Sequence, residues 1–226
     1  MKRESFKLGS MKLVRILLLL FIYLTLLIAL IRAFYTGEWQ ILFIVVITFV
    51  LTAIPYIFER GYKIDLPIEF ELTILIFIYA AMFLGEVQDF YFIFWWWDLL
   101  LHGISAIALG FVGFFILFIL YKGRKIDAKP FTIAVFSFSF ALAMGVLWEI
   151  FEFVIDTFFG LNMLKSGLLD TMGDLIIDTL GALIASIIGF IYLKRGKVLF
   201  FEKIIEEFVH DNPLLFRVEL KRKNEI

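Results

Sequence analysis

The sequence predicts an all-α integral membrane protein, a bundle of six transmembrane helices followed by a cytoplasmic amphipathic C-terminal helix. Three observations predict it. Of the 226 residues, 62% are hydrophobic and 19% charged, against roughly 45–50% and 25% in soluble domains. Apolar stretches of about 20 residues, long enough as helix to cross roughly 30 Å of hydrocarbon, recur along the chain. Lysine and arginine alternate from one connection to the next, as they do when loops sit on opposite sides of a membrane. The mean hydropathy of +0.98 agrees. A chain this short cannot bury so much apolar surface in one core, which excludes a soluble enzyme, a disordered chain and a disulfide scaffold. The absence of cysteine removes thiolate metal sites and cysteine nucleophiles as well.

Six spans are predicted, over 13–34, 39–58, 67–86, 97–121, 131–158 and 171–193. Unpaired backbone groups are not tolerated in lipid, so each must be helical. The first follows Lys2, Arg3, Lys7, Lys12 and Arg15. It runs too long for a secretory h-region and lacks a small-x-small cleavage site, so it reads as a retained anchor. The 59–66 connection adds Arg60 and Lys63, the 122–130 connection four basic residues, and the tail from Lys194 eight more. The opposite connections hold only Arg32 and Lys165. The positive-inside rule then places both termini in the cytoplasm of a multi-pass protein of the cell membrane.

Residues 1–196 form the predicted transmembrane domain and 197–226 a cytoplasmic tail. Within the tail, VLFFEKIIEEFV places Phe201, Ile204, Ile205 and Phe208 on one side of a helix and Glu202, Lys203 and Glu206 on the other. Such a helix suits a membrane interface, and nothing in it calls for nucleic acid. Asn212-Pro213 ends it, and the segment LLFRVELKRK beyond alternates like a strand. His210 reads as a solvated surface histidine.

Ionisable residues inside spans are costly and usually functional. The fourth span opens with WWWDLLLH, an interfacial aromatic belt of Trp95, Trp96 and Trp97 followed by Asp98 and His102 one turn apart. The fifth carries Glu149, Glu152 and Asp156 on one stripe with Gly145. The sixth carries Asp170, Asp174 and Asp178 at i, i+4, i+8, with Gly181 continuing the face. The fourth span enters from the outside, the fifth ends there and the sixth starts there, so all three stripes fall in the outer half of the membrane. Helical rise puts Glu149 and Asp178 about 12–14 Å below the outer ends of their helices.

Seven carboxylates together in low dielectric cannot all carry charge without cations, because mutual repulsion and desolvation both oppose ionisation. One imidazole with several carboxylates suits Mn²⁺, Zn²⁺, Fe²⁺, Mg²⁺ or Ca²⁺. The candidate ligands of a divalent metal ion are Asp98, His102, Glu149, Glu152, Asp156, Asp170, Asp174 and Asp178. Glu149 and Glu152 are the candidate catalytic bases. Capping competes with this reading at Asp98 and Asp170, and headgroup solvation at Asp156. Gly145 and Gly181 are expected to permit close helix packing. No HExxH, Gly-x-Ser-Gly or Glu-Glu…Arg signature of an intramembrane enzyme is present.

The run from WWWDLLLHGISA through GVLWEIFEFVIDTFFGLNM to GLLDTMGDLIIDTLGAL resembles the YjdF-type inner-membrane proteins, a family without an established activity. The resemblance is close over the last three spans and general over the first three. A looser similarity links the chain to VanZ-like proteins, associated with teicoplanin resistance, through Asp98/His102, Gly145/Glu149 and Asp174/Gly181-Ala182. Where that family has Gln and Arg, this chain has Glu152 and an acidic run, so headgroup contact through Arg does not carry over. Neither resemblance supplies a reaction.

The expected function is a cation site in the extracytoplasmic half that acts on or binds a lipid-linked or envelope substrate. Two other readings use the same residues. One is a structural or regulatory protein whose buried acids fix helix packing. The other is a cation- or proton-coupled transporter, against which stands the lack of polar residues in the inner halves of these spans.

Overall fold

The computed structural model describes residues 2–62, 65–66, 68–123, 125–160, 163–196, 199–213 and 215, with side chains described from Leu13 onward except at 159 and 199–201, so the Phe201 side chain lies outside the described set. The side chains of Lys2, Arg3, Lys7 and Lys12 therefore lie outside the described set, as do Lys63 and the strand-like stretch beyond Leu215. Among the described residues all regular structure is helical. Six helical segments are long and apolar enough to cross a membrane: Leu13–Thr36, Trp39–Tyr62, Ile68–Val87, Trp97–Lys122, Pro130–Phe158 and Leu168–Arg195. They match the expected spans to within a few residues at each end.

The chain divides into two compact units, Met1–Trp97 and Asp98–Ile226. In the first, α1 (Lys2–Thr36) packs on α2 (Trp39–Thr52), which breaks at Ala53 and resumes as α3 (Ile54–Tyr62). The next helix, α4 (Ile68–Ile78), passes directly into a π-helical stretch over Tyr79–Val87, followed by a single turn, α5 (Phe90–Ile93). Ile22, Leu26, Val45, Leu75, Tyr79 and Phe83 make the core of this unit. A charge pair also belongs to this unit: the half-buried Arg15 meets the buried carboxylate of Glu71 at 2.5 Å.

In the second unit, α6 (Trp97–Lys122), α7 (Pro130–Phe159) and α8 (Leu168–Arg195) are joined by short connections, and α9 (Leu199–Asp211) follows. Small residues decide how closely the three long helices approach. A Cβ built on Gly181 of α8 would lie 2.9 Å from the carbonyl oxygen of Gly103 and 2.8 Å from Cβ of Ala106, both on α6. One built on Gly110 of α6 would lie 2.5 Å from Ala185 of α8. The helix backbones can come this near only where there is no side chain, the usual device in lipid. Ser137 of α7 donates to the Gly110 carbonyl at 2.6 Å and ties the third helix in.

The amphipathic helix α9 turns its apolar stripe onto its own unit. Ile205 and Phe208 are buried, with the Phe208 ring 5.0 Å from Phe115 of α6. A cavity of about 280 Å³ lies beside it, lined by Phe118, Lys122, Tyr192, Ile205, Glu206 and His210 among others. Glu206 and Lys203 face outward, Lys203 pairing with Glu207 at 2.9 Å. His210 is exposed against Asp211, as its sequence context implies.

Candidate metal centre

The acidic residues of the second unit come from three places along the chain. Asp98 and His102 lie on the first turns of α6, Glu149, Glu152 and Asp156 on the last turns of α7, and Asp170, Asp174 and Asp178 on the first turns of α8. The glycine contacts just described bring these ends together. Gly145 has a more specific part than close packing, because the space a Cβ would need there is filled by the Asp178 carboxylate.

His102 is the centre of the arrangement. Its Nδ1 lies 3.3 Å from Oδ1 of Asp178, in hydrogen-bonding reach. Its Nε2 faces the other way, 3.7 Å from Oε1 of Glu149 and 4.0 Å from Oδ1 of Asp98. In the tautomer that donates Nδ1–H to Asp178, Nε2 would offer its lone pair to a cation lying among the remaining carboxylates. A carboxylate on the far nitrogen of a histidine is the usual support of a metal-ligating imidazole.

Glu149 and Asp174 complete a compact group. They are 5% and 2% exposed, yet Oδ2 of Asp174 lacks a hydrogen-bond partner among the described residues, and Glu149 has only the Thr171 side chain near it, without a well-formed hydrogen bond. Each of the three residues offers a ligand atom, and those of His102, Glu149 and Asp174 lie within 4.8 Å of one another. Two ligands about 2.1 Å from a shared ion stand about 3.0 Å apart when cis and 4.2 Å when trans in an octahedron. The 3.7 Å between Nε2 and Glu149 falls in that interval and is too long for a hydrogen bond. Three protein ligands of this kind can hold a divalent ion and leave positions open for water or substrate.

A second group, Asp98, Asp170 and Asp174, meets the same distance criterion and shares Asp174 with the first. Asp170 is not a cap: α8 is preceded by Gly167, which makes no side-chain capping bond. Asp98 is ion-paired with Lys165.

Three further acids are engaged elsewhere. Asp178 orients His102. Glu152 is buried, and its Oε1 accepts a hydrogen bond from the indole of Trp148, one turn back on α7, at 3.0 Å. Asp156 uses both oxygens to accept the backbone N–H groups of Met163 and Leu164, at 2.7 and 2.9 Å, and so folds the α7–α8 connection back on its own helix. Lys165 and Trp148 are the participants that sequence reasoning missed. Lys165 carried a signal, being the sole basic residue between Lys129 and Lys194 and lying between two acidic helix ends.

The family described as "Predicted membrane protein (DUF2238)" matches residues 14–195. The chain belongs to this family. The DUF2238 match takes in the first three spans, where the motifs alone carried little, as well as the acidic helices. A Thermotoga maritima protein described as uncharacterized is 30% identical over 122 residues, 54% of this chain. The alignment spans 62% of that relative's length. No solved structure matches.

Proposed function

We propose that the protein is a divalent-cation-dependent membrane protein whose centre, held by His102, Glu149 and Asp174, serves a lipid-linked or envelope substrate. The observation that carries this reading is Glu149, a carboxylate 5% exposed that faces an imidazole nitrogen at 3.7 Å, beyond hydrogen-bond distance, with the Thr171 side chain as its other polar neighbour. A buried carboxylate crowded by other acids is costly to ionise, and a cation between Nε2 and the two carboxylates would offset that cost. The distribution of Lys and Arg puts both termini in the cytoplasm and the centre in the extracytoplasmic half of the cell membrane. Along α7, Glu149 and Glu152 alternate with the exposed Trp148, Phe151 and Phe153. That pattern suits approach of an amphiphile from the bilayer. A bound ion would acidify water or polarise a substrate oxygen, and Glu149 or Glu152 would take the proton.

Elemental analysis of protein purified without added metal, repeated after chelation and reloading, tests the proposal. About one ion per chain is expected, lost in Glu149→Ala and Asp174→Ala. Wild-type protein that carries no ion and takes none up defeats it.

A further inference from the structure

We propose that a second divalent cation binds at Asp98, Asp170 and Asp174, in competition with the ammonium group of Lys165, making the centre a two-ion site bridged by Asp174. The inference rests on the cation reading of His102, Glu149 and Asp174 and extends it.

Two observations point to the second ion. The ligand atoms of Asp98, Asp170 and Asp174 lie within 4.8 Å of one another. Asp174, 2% exposed, belongs to both groups, and its Oδ2 has no hydrogen-bond partner among the described residues. A carboxylate has lone pairs enough on two oxygens to serve two ions. All three donors of the second group are oxygens, which favours hard ions such as Mg²⁺, Mn²⁺ or Ca²⁺, whereas the imidazole of the first admits softer ones.

Lys165 already supplies one positive charge at this place through its pair with Asp98. It reaches there from the α7–α8 connection and is itself 25% exposed, so it can withdraw when a dication arrives. The second locus is therefore weaker than the first and is filled only above a threshold of free metal.

Manganese titration of the full chain in detergent, followed by elemental analysis and electron paramagnetic resonance, tests this. Wild type is expected to take up two Mn²⁺ per chain with a spin-coupled spectrum at saturation. Asp170→Asn should hold one, with the six-line spectrum of an isolated ion. Lys165→Met should fill the second locus at about two- to five-fold lower free Mn²⁺, the factor expected for removing one partly exposed charge. One uncoupled ion in wild type and Asp170→Asn alike overturns the second locus and leaves the first. No ion in wild type overturns the underlying reading instead. An unchanged second affinity in Lys165→Met overturns the competition, whether or not Asp170→Asn folds.

Discussion

Asp178 and Glu149 flank the same imidazole, but their surroundings assign them opposite parts. Asp178 is hydrogen-bonded to Nδ1 and seated where Gly145 leaves room. Replacing it leaves the ligands in place and frees the ring to turn. Asp178→Ala is expected to weaken metal binding by about 10–100-fold, the usual effect of losing such a support. Asp178→Asn, whose amide oxygen still accepts from Nδ1–H, should lose less. A metal-ion titration of the two variants checks the order.

Glu149 has no such partner, and its variants should change sign with metal. Without metal, Glu149→Gln removes one desolvated carboxylate from a crowded acidic group and is expected to stabilise the protein by about 1 kcal/mol. With metal present the wild type should be the more stable, because the ion then binds only the native ligand set. Thermal unfolding in detergent with and without chelator reads both arms. If the acids serve helix packing alone, chelator leaves the wild-type melting temperature unmoved.

At the scale of the helix, glycine placement governs whether the ligands meet. A methyl group at Gly145 would occupy the volume of the Asp178 carboxylate, and one at Gly181 would press on the α6 backbone. Gly145→Ala and Gly181→Ala are expected to cost about 1–3 kcal/mol by overpacking, and Gly145→Ala should also reduce metal affinity. Gly173→Ala on the same face of α8 makes a fitting control, since its Cβ would find only Leu99 at an ordinary 3.5 Å. It should be neutral or slightly stabilising, because alanine favours helix by roughly 1 kcal/mol over glycine. Differential scanning of the three variants beside a metal titration separates packing from ligation.

Much at this scale was legible beforehand. Hydropathy located the six spans, and the 3.6-residue period put Asp98 with His102, Glu149 with Asp156, and Asp170 with Asp178 on shared stripes. The break at Ala53 and the π-helical end of the third span left no such trace, because each depends on backbone packing that apolar composition does not encode. Nor did spacing reveal which acid does what. That Asp156 holds the connection, that Glu152 accepts from Trp148 and that Asp178 backs His102 are matters of which oxygen meets which donor across helices. Periodicity places residues on a face and leaves those pairings open.

For the molecule as a whole, the charge asymmetry makes a direct prediction about sidedness. The chain has no cysteine, so single cysteines report without background. Ser166 and Lys125, both exposed, lie in connections expected on opposite sides. Ser166→Cys in intact cells should react with a membrane-impermeant maleimide, and Lys125→Cys only after the membrane is opened. Labelling in the reverse order would invert the topology and move the centre to the cytoplasmic half.

The half-buried Arg15–Glu71 pair raises a question of the same scale, since it lies in the unit that does not carry the candidate metal centre. Glu71→Gln removes the partner of a partly exposed arginine and should destabilise the protein by about 1–2 kcal/mol, whereas the joint replacement Arg15→Met with Glu71→Leu should recover most of the loss. Metal content should be unchanged in the joint variant.

The mooring of the α7–α8 connection has a consequence for how the chain can vary. Loops between helices ordinarily accept insertions and deletions with little effect. This one is held at its start by the two oxygens of Asp156 on Met163 and Leu164, and one residue later Lys165 reaches across to α6. Lys165 also adopts a left-handed backbone, φ +41°, which a chain of altered register would not reproduce. The number of residues between Asp156 and Lys165 thus acts as a ruler that sets how far an ammonium group extends toward Asp98. On the cation reading, relatives that keep the acids but change that length should differ in cation preference before they differ in fold, which metal titration of such a relative checks.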